Sequence, residues 1–274
     1  MSKTITRSIH LVDRGTVKSL PSFLEDLNNL KSKTIRTQLW FRGLADEGHA
    51  LKPSCARLYQ YAGKTVTEFS PDVERKLLNR FSRYAFQLLG RKSGEWEVMF
   101  VARHYGLPVR LLDWTSSPLA ALYFACCDDA EKSGTLWALA HSEGKDLDFN
   151  TLDLMNGDDK VTGPFTIFNG KNGEPRPAIK LIASLFNSPR IVAQQGWFTY
   201  HSIPSDAIKD CVGSVYSEEC LDFSHLIKWS IPQGTKPQLL EHLHSAGIAR
   251  RVLFPDLDGF AQGIWESQVL WHGR

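Results

Sequence analysis

The sequence predicts a single α+β domain, because segments of strand character and segments of helical periodicity follow one another without a regular order. Its 274 residues fit one large domain, and no internal repeat or low-complexity linker divides them. The strands do not alternate with helices in a βαβ order, which disfavours a doubly wound sheet. We expect an N-terminal extension over residues 1–37, a folded domain over 38–274, and a surface insertion near 142–174.

The composition allows a substantial core and shows no export or membrane signal. Hydrophobic residues make up 42% and charged residues 23%. No apolar run approaches the roughly 20 residues that span a bilayer, and no signal-peptide pattern opens the chain. The five cysteines lack paired spacing and indicate reduced thiols in a cytoplasmic protein. The net charge of +2 gives no global case for nucleic acid but leaves a local basic groove open.

The first elements are well signalled. Residues 38–43 (QLWFRG) are aromatic and apolar and end at glycine, which predicts a strand that places Arg42 at its C-terminal end. Ser70 is an N-cap for a helix with an apolar face that continues to about residue 88. A second helix over 95–104 ends before Gly106, a plausible left-handed C′ residue.

The densest apolar stretch covers residues 107–125. Its first part has the leucine content of a short buried strand, and Ser117 followed by Pro118 marks the start of a helix. Residues 113–117 therefore occupy a strand-to-helix junction. The later segments are predicted as a core strand over 134–140, a strand pair or bent strand over 190–201 with a bulge at Gly196, a strand over 226–231, a helix over 236–246, and a last helix entered through 253–261.

Arg42 is the first candidate for binding, because a planar guanidinium at a strand end can hold a phosphate or carboxylate at two points. The following Gly43 would leave room for a ligand to approach the backbone. The alternative is that Arg42 forms an ion pair with Asp113. Arg110 and Asp113 lie three residues apart in an apolar setting, so a structural ion pair between them is also expected. We expect Asp113 to be buried in either case.

Several separated motifs resemble the FRG domain family, which is named for a Phe-Arg-Gly tripeptide. This resemblance extends over most of residues 38–263, and its middle piece is the most specific. The motifs are WFRG at 40–43, LKPS at 51–54 with Arg57, ARHYGLPVRLLDWTSSPLA at 102–120, PRIVAQQG at 189–196, and LFPDLDG at 253–259. The family resemblance implies little established biochemistry, so the chemistry has to be argued from residues.

A second, partial resemblance is to ADP-ribosyltransferases. Arg42 at a strand end, followed by a strand with the hydroxyls of Thr115 and Ser116 that runs into a helix, is similar to the first two motifs of these enzymes. This resemblance implies that NAD is the substrate, that Arg42 holds its phosphate, and that Thr115 and Ser116 orient its nicotinamide ribose. It also implies a fold with two small packed sheets and flanking helices.

The third motif of the transferases is where this sequence departs from them. Cleavage of the nicotinamide glycosidic bond passes through an oxocarbenium-like state that a carboxylate stabilises. The family places a glutamate on a later strand, whereas the candidate segment 193–198 (AQQGWF) has Gln195 and no carboxylate. Either Gln195 marks an atypical or lost active site, or another carboxylate such as Asp113 or Glu266 substitutes.

Two residues at the end of the second helix are further candidates. Tyr105 is predicted to face the ligand, where its ring would stack on a flat group. His104 could titrate near neutrality or serve as an ordinary helix-end cation, and both alternatives stay open. No phosphate-loop, Gly-x-Gly-x-x-Gly, His-Glu-x-x-His or Gly-x-Ser-x-Gly motif occurs.

The leading hypothesis is an NAD-binding, ADP-ribosyltransferase-like protein that acts as a bacterial toxin or phage-defence effector on a macromolecule. The alternative is a non-catalytic binding module that uses the same pocket for a nucleotide, a nucleic acid or a peptide. The sequence leaves open whether the target is protein or nucleic acid and whether a cognate inhibitor exists. No membrane partner and no metal are expected.

Overall fold

The computed structural model describes residues 6–33, 38–57, 59–61, 64–66, 70–141, 159–167, 176–183, 188–203, 208, 212, 215–217, 221 and 223–272. Within them, no helix has the length and apolar character needed to cross a membrane. The strands, numbered in chain order as β1 to β11, are Thr6–Ser8, His10–Thr16, Leu39–Leu44, Tyr59–Tyr61, Lys64–Val66, Leu111–Thr115, Gly134–His141, Ile179–Ala183, Gly196–His201, Val215–Ser217 and Phe223–Ile231.

The α-helices are numbered in the same way as α1 to α9. They are Leu20–Lys33, Pro71–Leu89, Glu95–His104, Pro118–Cys126, Asp159–Thr162, Pro189–Ala193, Lys236–Ser245, Arg250–Leu253 and Leu257–His272, with 3₁₀ turns at Ser54–Ala56 and Gln233–Thr235. The caps predicted at two helix starts are confirmed, because Ser70 Oγ accepts from Val73 N and Ser117 Oγ accepts from Ala120 N. Gly106 has a φ of 83°, as a left-handed C′ residue requires.

Seven strands form one sheet in the order β2-β11-β7-β3-β6-β9-β8, and two two-stranded ribbons, β1-β10 and β4-β5, accompany it. Among the described strands of this sheet, β2 and β11 pair in parallel and the other five neighbouring pairs are antiparallel. The register between β3 and β6 holds one residue pair, Phe41 with Thr115, whereas β3 pairs with β7 from Leu39 to Leu44. We call this junction between β3 and β6 the seam. It joins a four-strand group, β2-β11-β7-β3, to a three-strand group, β6-β9-β8.

Helices cover the outer faces of the two groups, and one hydrophobic cluster lies between them. Helices α1, α4 and α7 pack on the four-strand group, while α2 and α3 pack on the three-strand group. A third cluster takes side chains from both groups, including Trp40 and Leu139 on one side of the seam and Trp114 and Leu181 on the other. The sheet therefore curls so that its two groups share one core.

The prediction of a single α+β domain is confirmed. In place of two separate packed sheets, the described residues form one sheet with two groups of strands. The segment before residue 38, expected as an extension, contributes edge strand β2 and the core-packing helix α1. The prediction of strand over 190–201 is wrong in its first half, which is helix α6 because Pro189 occupies a first helical position.

The expected surface insertion near 142–174 lies mostly outside the described residues. Its described part, 159–167, packs on the body of the domain. The Trp96 indole donates to Thr162 O at 2.7 Å, and the Arg110 guanidinium lies 4.8 Å from the centre of the Phe165 ring. This part of the segment is therefore attached to the three-strand group.

The ion pair predicted between Arg110 and Asp113 is absent, because residues three apart around a strand face opposite sides of the sheet. Arg110 instead pairs with Glu74 of α2. The Arg110 Nε lies 2.6 Å from Glu74 Oε2, and the Arg110 backbone N–H donates to Glu74 Oε1 at 2.8 Å. Both side chains are buried. Burial raises the pKa of Glu74, and Arg110 counteracts part of that rise. The pair therefore fixes α2 to the start of β6.

Gly43 is where helix α4 approaches the sheet most closely. A Cβ atom on Gly43 would lie 1.9 Å from Ala121 O and 2.5 Å from Ala125 N, both in the backbone of α4. A Cβ on Gly134 of β7 would meet Ala125 O at 2.5 Å. The space on the Cβ side of Gly43 is therefore filled by helix backbone, whereas the prediction that a ligand approaches the Gly43 backbone stays a prediction. The glycine of the tripeptide sets the distance between α4 and β3.

Replacing Glu74 with alanine should leave the buried guanidinium of Arg110 without its partner carboxylate. We expect the free energy of unfolding to fall by about 3–5 kcal/mol, the range found when one partner of a buried ion pair is removed. Chemical denaturation followed by circular dichroism measures this. Asp72→Ala, in the same helical turn but exposed, is the control and should cost less than about 1 kcal/mol. Equal costs for the two variants would contradict a structural role for the pair.

Replacing Gly43 with alanine should separate α4 from the sheet. We expect a loss of about 3 kcal/mol or more in the free energy of unfolding, because two backbone atoms of α4 must move. Gly234→Ala is the control, since a Cβ atom on Gly234 would have no atom within 4 Å and its φ is ordinary; it should change stability by less than about 0.5 kcal/mol. A Gly43→Ala protein as stable as wild type would refute the close contact.

Candidate functional site

A cleft of about 520 Å³ opens at the seam, where β3 and β6 separate after their one residue pair. Its walls come from the C-terminal end of β3, from β6, from the end of α3, from α6 and from the start of β9. The side chains that concern the chemistry are Arg42, Arg103, His104, Asp113, Thr115, Arg190 and Gln194. The cleft thus combines elements that are far apart in the sequence.

Arg42 crosses the seam. Its Nη1 donates to the Asp113 backbone carbonyl at 2.6 Å and lies 3.6 Å from Asp113 Oδ2. The Nε atom is buried without a hydrogen-bond partner among the described residues, and the side chain is 14% exposed. Burial lowers the pKa of Arg42 to about 10, which leaves it charged at neutral pH. Both contacts with Asp113 use Nη1, so the rest of the guanidinium takes no part in them.

Asp113 faces two arginines. Arg103 Nη2 of α3 donates to Asp113 Oδ2 in a short contact, and Arg42 lies on the other side. Burial alone would raise the pKa of Asp113, but Arg103 and Arg42 hold it below its ordinary value. The expected pairing with Arg42 is confirmed. The expectation that Asp113 is buried is met only in part, because its side chain is 42% exposed at the wall of the cleft.

The inner part of the cleft has a surplus of positive charge. Three arginines, Arg42, Arg103 and Arg190, and three aspartates line the cleft as a whole. Two of the aspartates, at 128 and 129, are exposed to solvent, so the arginines outnumber Asp113 in the less exposed part. The Arg190 guanidinium stacks 4.2 Å from the centre of the Phe254 ring. An anionic ligand would compensate this surplus, and guanidinium groups suit phosphate oxygens.

His104 lies beside this cationic group. Burial lowers its pKa, and the nearby charge of Arg190 lowers it further. The lowered pKa favours a neutral imidazole at pH 7, where one ring nitrogen can donate and the other can accept a hydrogen bond in the cleft. The helix-end cation is disfavoured by the same surplus of positive charge.

The hydroxyl residues of the strand-to-helix junction meet the two glutamines. Thr115 Oγ1 donates to Gln194 O at 2.6 Å and accepts from Ser117 N at 3.0 Å. Ser116 Oγ donates to Gln195 Oε1 at 3.0 Å, and Ser116 N donates to Gln195 O at 3.1 Å. Gln195 has a φ of 48°, an uncommon value for a residue with a side chain. The structure therefore brings Thr115, Ser116 and Gln195 together.

Ser116 and Gln195 adjoin Thr115 without lining the cleft, and two further candidates, Glu266 and Tyr105, lie elsewhere. Glu266 of α9 accepts from the Tyr123 hydroxyl at 2.8 Å and from Arg250 N at 3.2 Å, and it lies 3.4 Å from His244 Nε2. Glu266 does not line the cleft. Tyr105 is 68% exposed and contacts Phe81 and His104, but it is not part of the cleft wall either.

The residues that sequence reasoning missed are Arg103 and Arg190. Each stands inside one of the motif pieces, ARHYG and PRIVAQQG, next to the residues that were considered. An arginine in each motif was the available signal. Neither could be placed in the cleft without knowing that α3 and α6 end at the seam. Among the residues that the structure describes, no group of three His, Cys, Asp or Glu side chains could hold a metal ion.

Comparison with known families gives one finding. The family model of the FRG domain matches residues 37–134. The matched range contains Arg42, Gly43, Arg103, Asp113 and Thr115, and it ends at the first residue of β7. Arg190, Gln194 and Gln195 follow after it. Neither the curated proteins nor the solved structures contain a significant match to the chain.

Replacing Asp113 with asparagine should leave Arg42 and Arg103 facing each other. We expect a loss of about 1–2 kcal/mol at pH 7, a low value for charge-assisted hydrogen bonds because the side chain is partly exposed. The folded-state pKa of Asp113 lies below its unfolded value, so this stabilisation is present above the unfolded pKa. It is lost as the pH falls through the folded pKa.

The stability difference between wild type and Asp113→Asn should therefore narrow as the pH is lowered from 7 to below about 4. Denaturation curves across this pH range measure the difference. Asp128→Asn, which removes an exposed carboxylate at the rim, is the matched control and should show little difference at any pH. A constant gap between wild type and Asp113→Asn would mean that the Asp113 charge does not act through the arginines.

Proposed function

Since the chain contains an FRG domain, we propose that it binds NAD in the cleft at the seam as an ADP-ribosyltransferase-like protein that modifies a macromolecule. The observation that carries the proposal is the position of Arg42 at the seam. It shares one cleft with Asp113 and Thr115, next to the Ser116–Gln195 contact. This is the combination that the resemblance to the transferases implies.

The anion contact is the first step of the proposal. The pyrophosphate of NAD carries negative charge that matches the surplus of the cleft. Arg42 offers the donors that do not contact Asp113, and Arg190 lies in the same cleft. A planar guanidinium contacts two phosphate oxygens at once, which a lysine cannot do. Arg42 is therefore assigned the phosphate and Arg190 a supporting contact.

The ribose contact is the second step. The Thr115 hydroxyl is engaged on both sides, by Gln194 O and by Ser117 N, so we assign it a positioning role. The Ser116 hydroxyl has one contact, with Gln195 Oε1. A ribose hydroxyl can displace or join this contact because both groups donate and accept. Ser116 and Gln195 are therefore the proposed ribose contacts.

The chemical step requires stabilisation of positive charge at the ribose. The bond between ribose C1′ and the nicotinamide nitrogen breaks, its electron pair leaves with nicotinamide, and a nucleophile of the target adds to C1′ and loses a proton. Asp113 is the inner carboxylate of the cleft and is ionised at neutral pH. In this proposal it takes the electrostatic role of the absent glutamate.

One observation favours a second candidate, a non-catalytic module that binds a nucleotide. Asp113 is held by Arg103 and Arg42, so its charge is already compensated, and Gln195 carries no charge. A carboxylate compensated by two cations stabilises an oxocarbenium ion less well. In this second candidate the cleft binds NAD, ADP-ribose or another phosphate-bearing nucleotide without turnover.

Replacing Arg42 with lysine tests the cleft. The charge is kept and the two-point contact is lost, so we expect affinity for NAD or ADP-ribose, measured by calorimetry, to fall by about 1.5–3 kcal/mol. Arg251→Lys, on the exposed surface of α8, is the control and should bind like wild type. Thermal melts show whether each variant is folded. If Arg42→Lys is folded and binds NAD as wild type does, Arg42 is not the anion contact.

Turnover separates the two candidates. Cell extract is incubated with the protein and with NAD labelled in its adenosine part, and the products are analysed by mass spectrometry and by nicotinamide release. Labelled protein or nucleic acid supports the transferase and identifies the target class. Binding without nicotinamide release supports the non-catalytic module. A role as toxin or phage-defence effector belongs to the transferase proposal and requires a modified target in this experiment.

A further inference from the structure

A second basic surface lies on helix α2, away from the cleft. Between residues 75 and 94 the sequence has no acidic residue. The cations of this range define what we call the α2 basic surface, and they are Arg75, Lys76, Arg80, Arg83, Arg91 and Lys92. With a net charge of only +2 on the whole chain, this concentration on one helix and the turn after it is a local feature.

The α2 basic surface contains a groove of about 610 Å³. One wall is a stripe of α2 formed by Arg75, Asn79, Arg83 and Phe86, which are spaced three or four residues apart and share one helix face. The opposite side includes the turn after the helix, at 91–93. The groove shares no lining residue with the cleft at the seam.

The charges of this surface are mostly uncompensated. Arg91 is paired with Glu97 at 2.6 Å, whereas the other five cations form no ion pair within the described part of the chain. One carboxylate, Glu95, also lines the groove, against four cations, Arg75, Arg83, Arg91 and Lys92. Arg75 lies 4.7 Å above the Phe165 ring, which fixes its guanidinium without neutralising it. Ser93, a groove residue, has a buried hydroxyl without a hydrogen-bond partner among the described residues. An anionic ligand would satisfy these groups.

Two aromatic side chains accompany the cations. Phe86 lies in the groove and is 56% exposed, and Tyr84 on the adjacent stripe is 72% exposed. Lys76, Arg80 and Tyr84 are spaced by four residues, so this second stripe also runs from cations to an aromatic ring. Exposed rings beside guanidinium groups provide flat surfaces on which nucleobases stack.

We propose that the α2 basic surface binds single-stranded nucleic acid, with phosphates on the arginines and lysines and bases on Phe86 and Tyr84. Arg75 and Arg83 are about 12 Å apart along the helix axis, so the groove spans several consecutive phosphates. An acidic peptide would match the charges but not the exposed rings. A membrane surface is the other polyanion that cations and exposed rings can bind, and anionic vesicles are therefore included in the test below.

The inference is independent of the proposed NAD site, because it uses different residues and a different readout. Fluorescence anisotropy with labelled oligo-dT and oligo-U strands measures binding by the full chain. We expect dissociation constants of about 1–100 µM at low salt. With about four phosphate contacts, the slope of log affinity against log salt should be about −3 for a single strand.

Two variants locate the binding. Arg80→Glu with Arg83→Glu should weaken binding by tenfold or more, where tenfold is about 1.4 kcal/mol. Phe86→Ala with Tyr84→Ala should weaken it by about fivefold or more without a change in charge. The control for the first pair is Lys18→Glu with Arg251→Glu, two exposed cations elsewhere, which changes the net charge equally. Thermal melts confirm that all variants are folded.

Several results would overturn the inference. These are the absence of binding up to about 100 µM protein at low salt, equal weakening by the control pair, or an unchanged affinity of the aromatic variant. If the protein binds anionic lipid vesicles or polyglutamate more tightly than the oligonucleotides, the ligand of this surface is a membrane or an acidic peptide and not a nucleic acid. If a duplex binds as tightly as the single strands and the aromatic variant binds like wild type, the surface is not specific for single-stranded nucleic acid.

Discussion

The contact of Arg42 with Asp113 across the seam is the interaction on which the rest of this structure depends. One residue pair joins β3 to β6, so backbone hydrogen bonding alone holds the two groups of strands weakly there. Arg42 adds a hydrogen bond to the Asp113 carbonyl, and Arg103 ties α3 to the Asp113 carboxylate. These contacts compensate for part of the backbone hydrogen bonding that β3 and β6 lack. The same separation of strands that requires them also creates the cleft.

The residues of the Phe-Arg-Gly tripeptide at 41–43 act on both faces of the sheet. Phe41 is buried in the core under α4, and Gly43 lets the backbone of α4 approach to a distance that no side chain would permit. Arg42, between them, points to the other face because side chains alternate along a strand. A motif of three residues thus fixes a helix on one face and a charged centre on the other. This arrangement gives Arg42 a structural role at the seam and also places it at the wall of the cleft, where we propose that it binds a phosphate.

The cationic centre also constrains the chemistry. The arginines of the cleft favour an anion. The two that contact Asp113, Arg42 and Arg103, reduce the ability of its carboxylate to stabilise a positively charged transition state. The cleft is therefore better suited to hold a phosphate than to supply an uncompensated carboxylate. If bound phosphate releases Asp113 from Arg42, the carboxylate can serve a transferase. If Asp113 stays paired, the cleft suits a binding module. A ligand phosphate competes for the same guanidinium, so binding and activation would be coupled.

The sequence by itself determined helices α2, α3 and α4, the strand that carries Arg42 and the junction at Thr115, because caps and periodic patterns act over a few residues. It did not predict helices α1 and α6. It failed where partners are distant. Arg110 pairs with Glu74, 36 positions away, and Thr115 meets Gln194, 79 positions away. Only the tertiary structure decided which strands separate at the seam, and therefore which charges face one another, because strand pairing depends on the packing of the whole core.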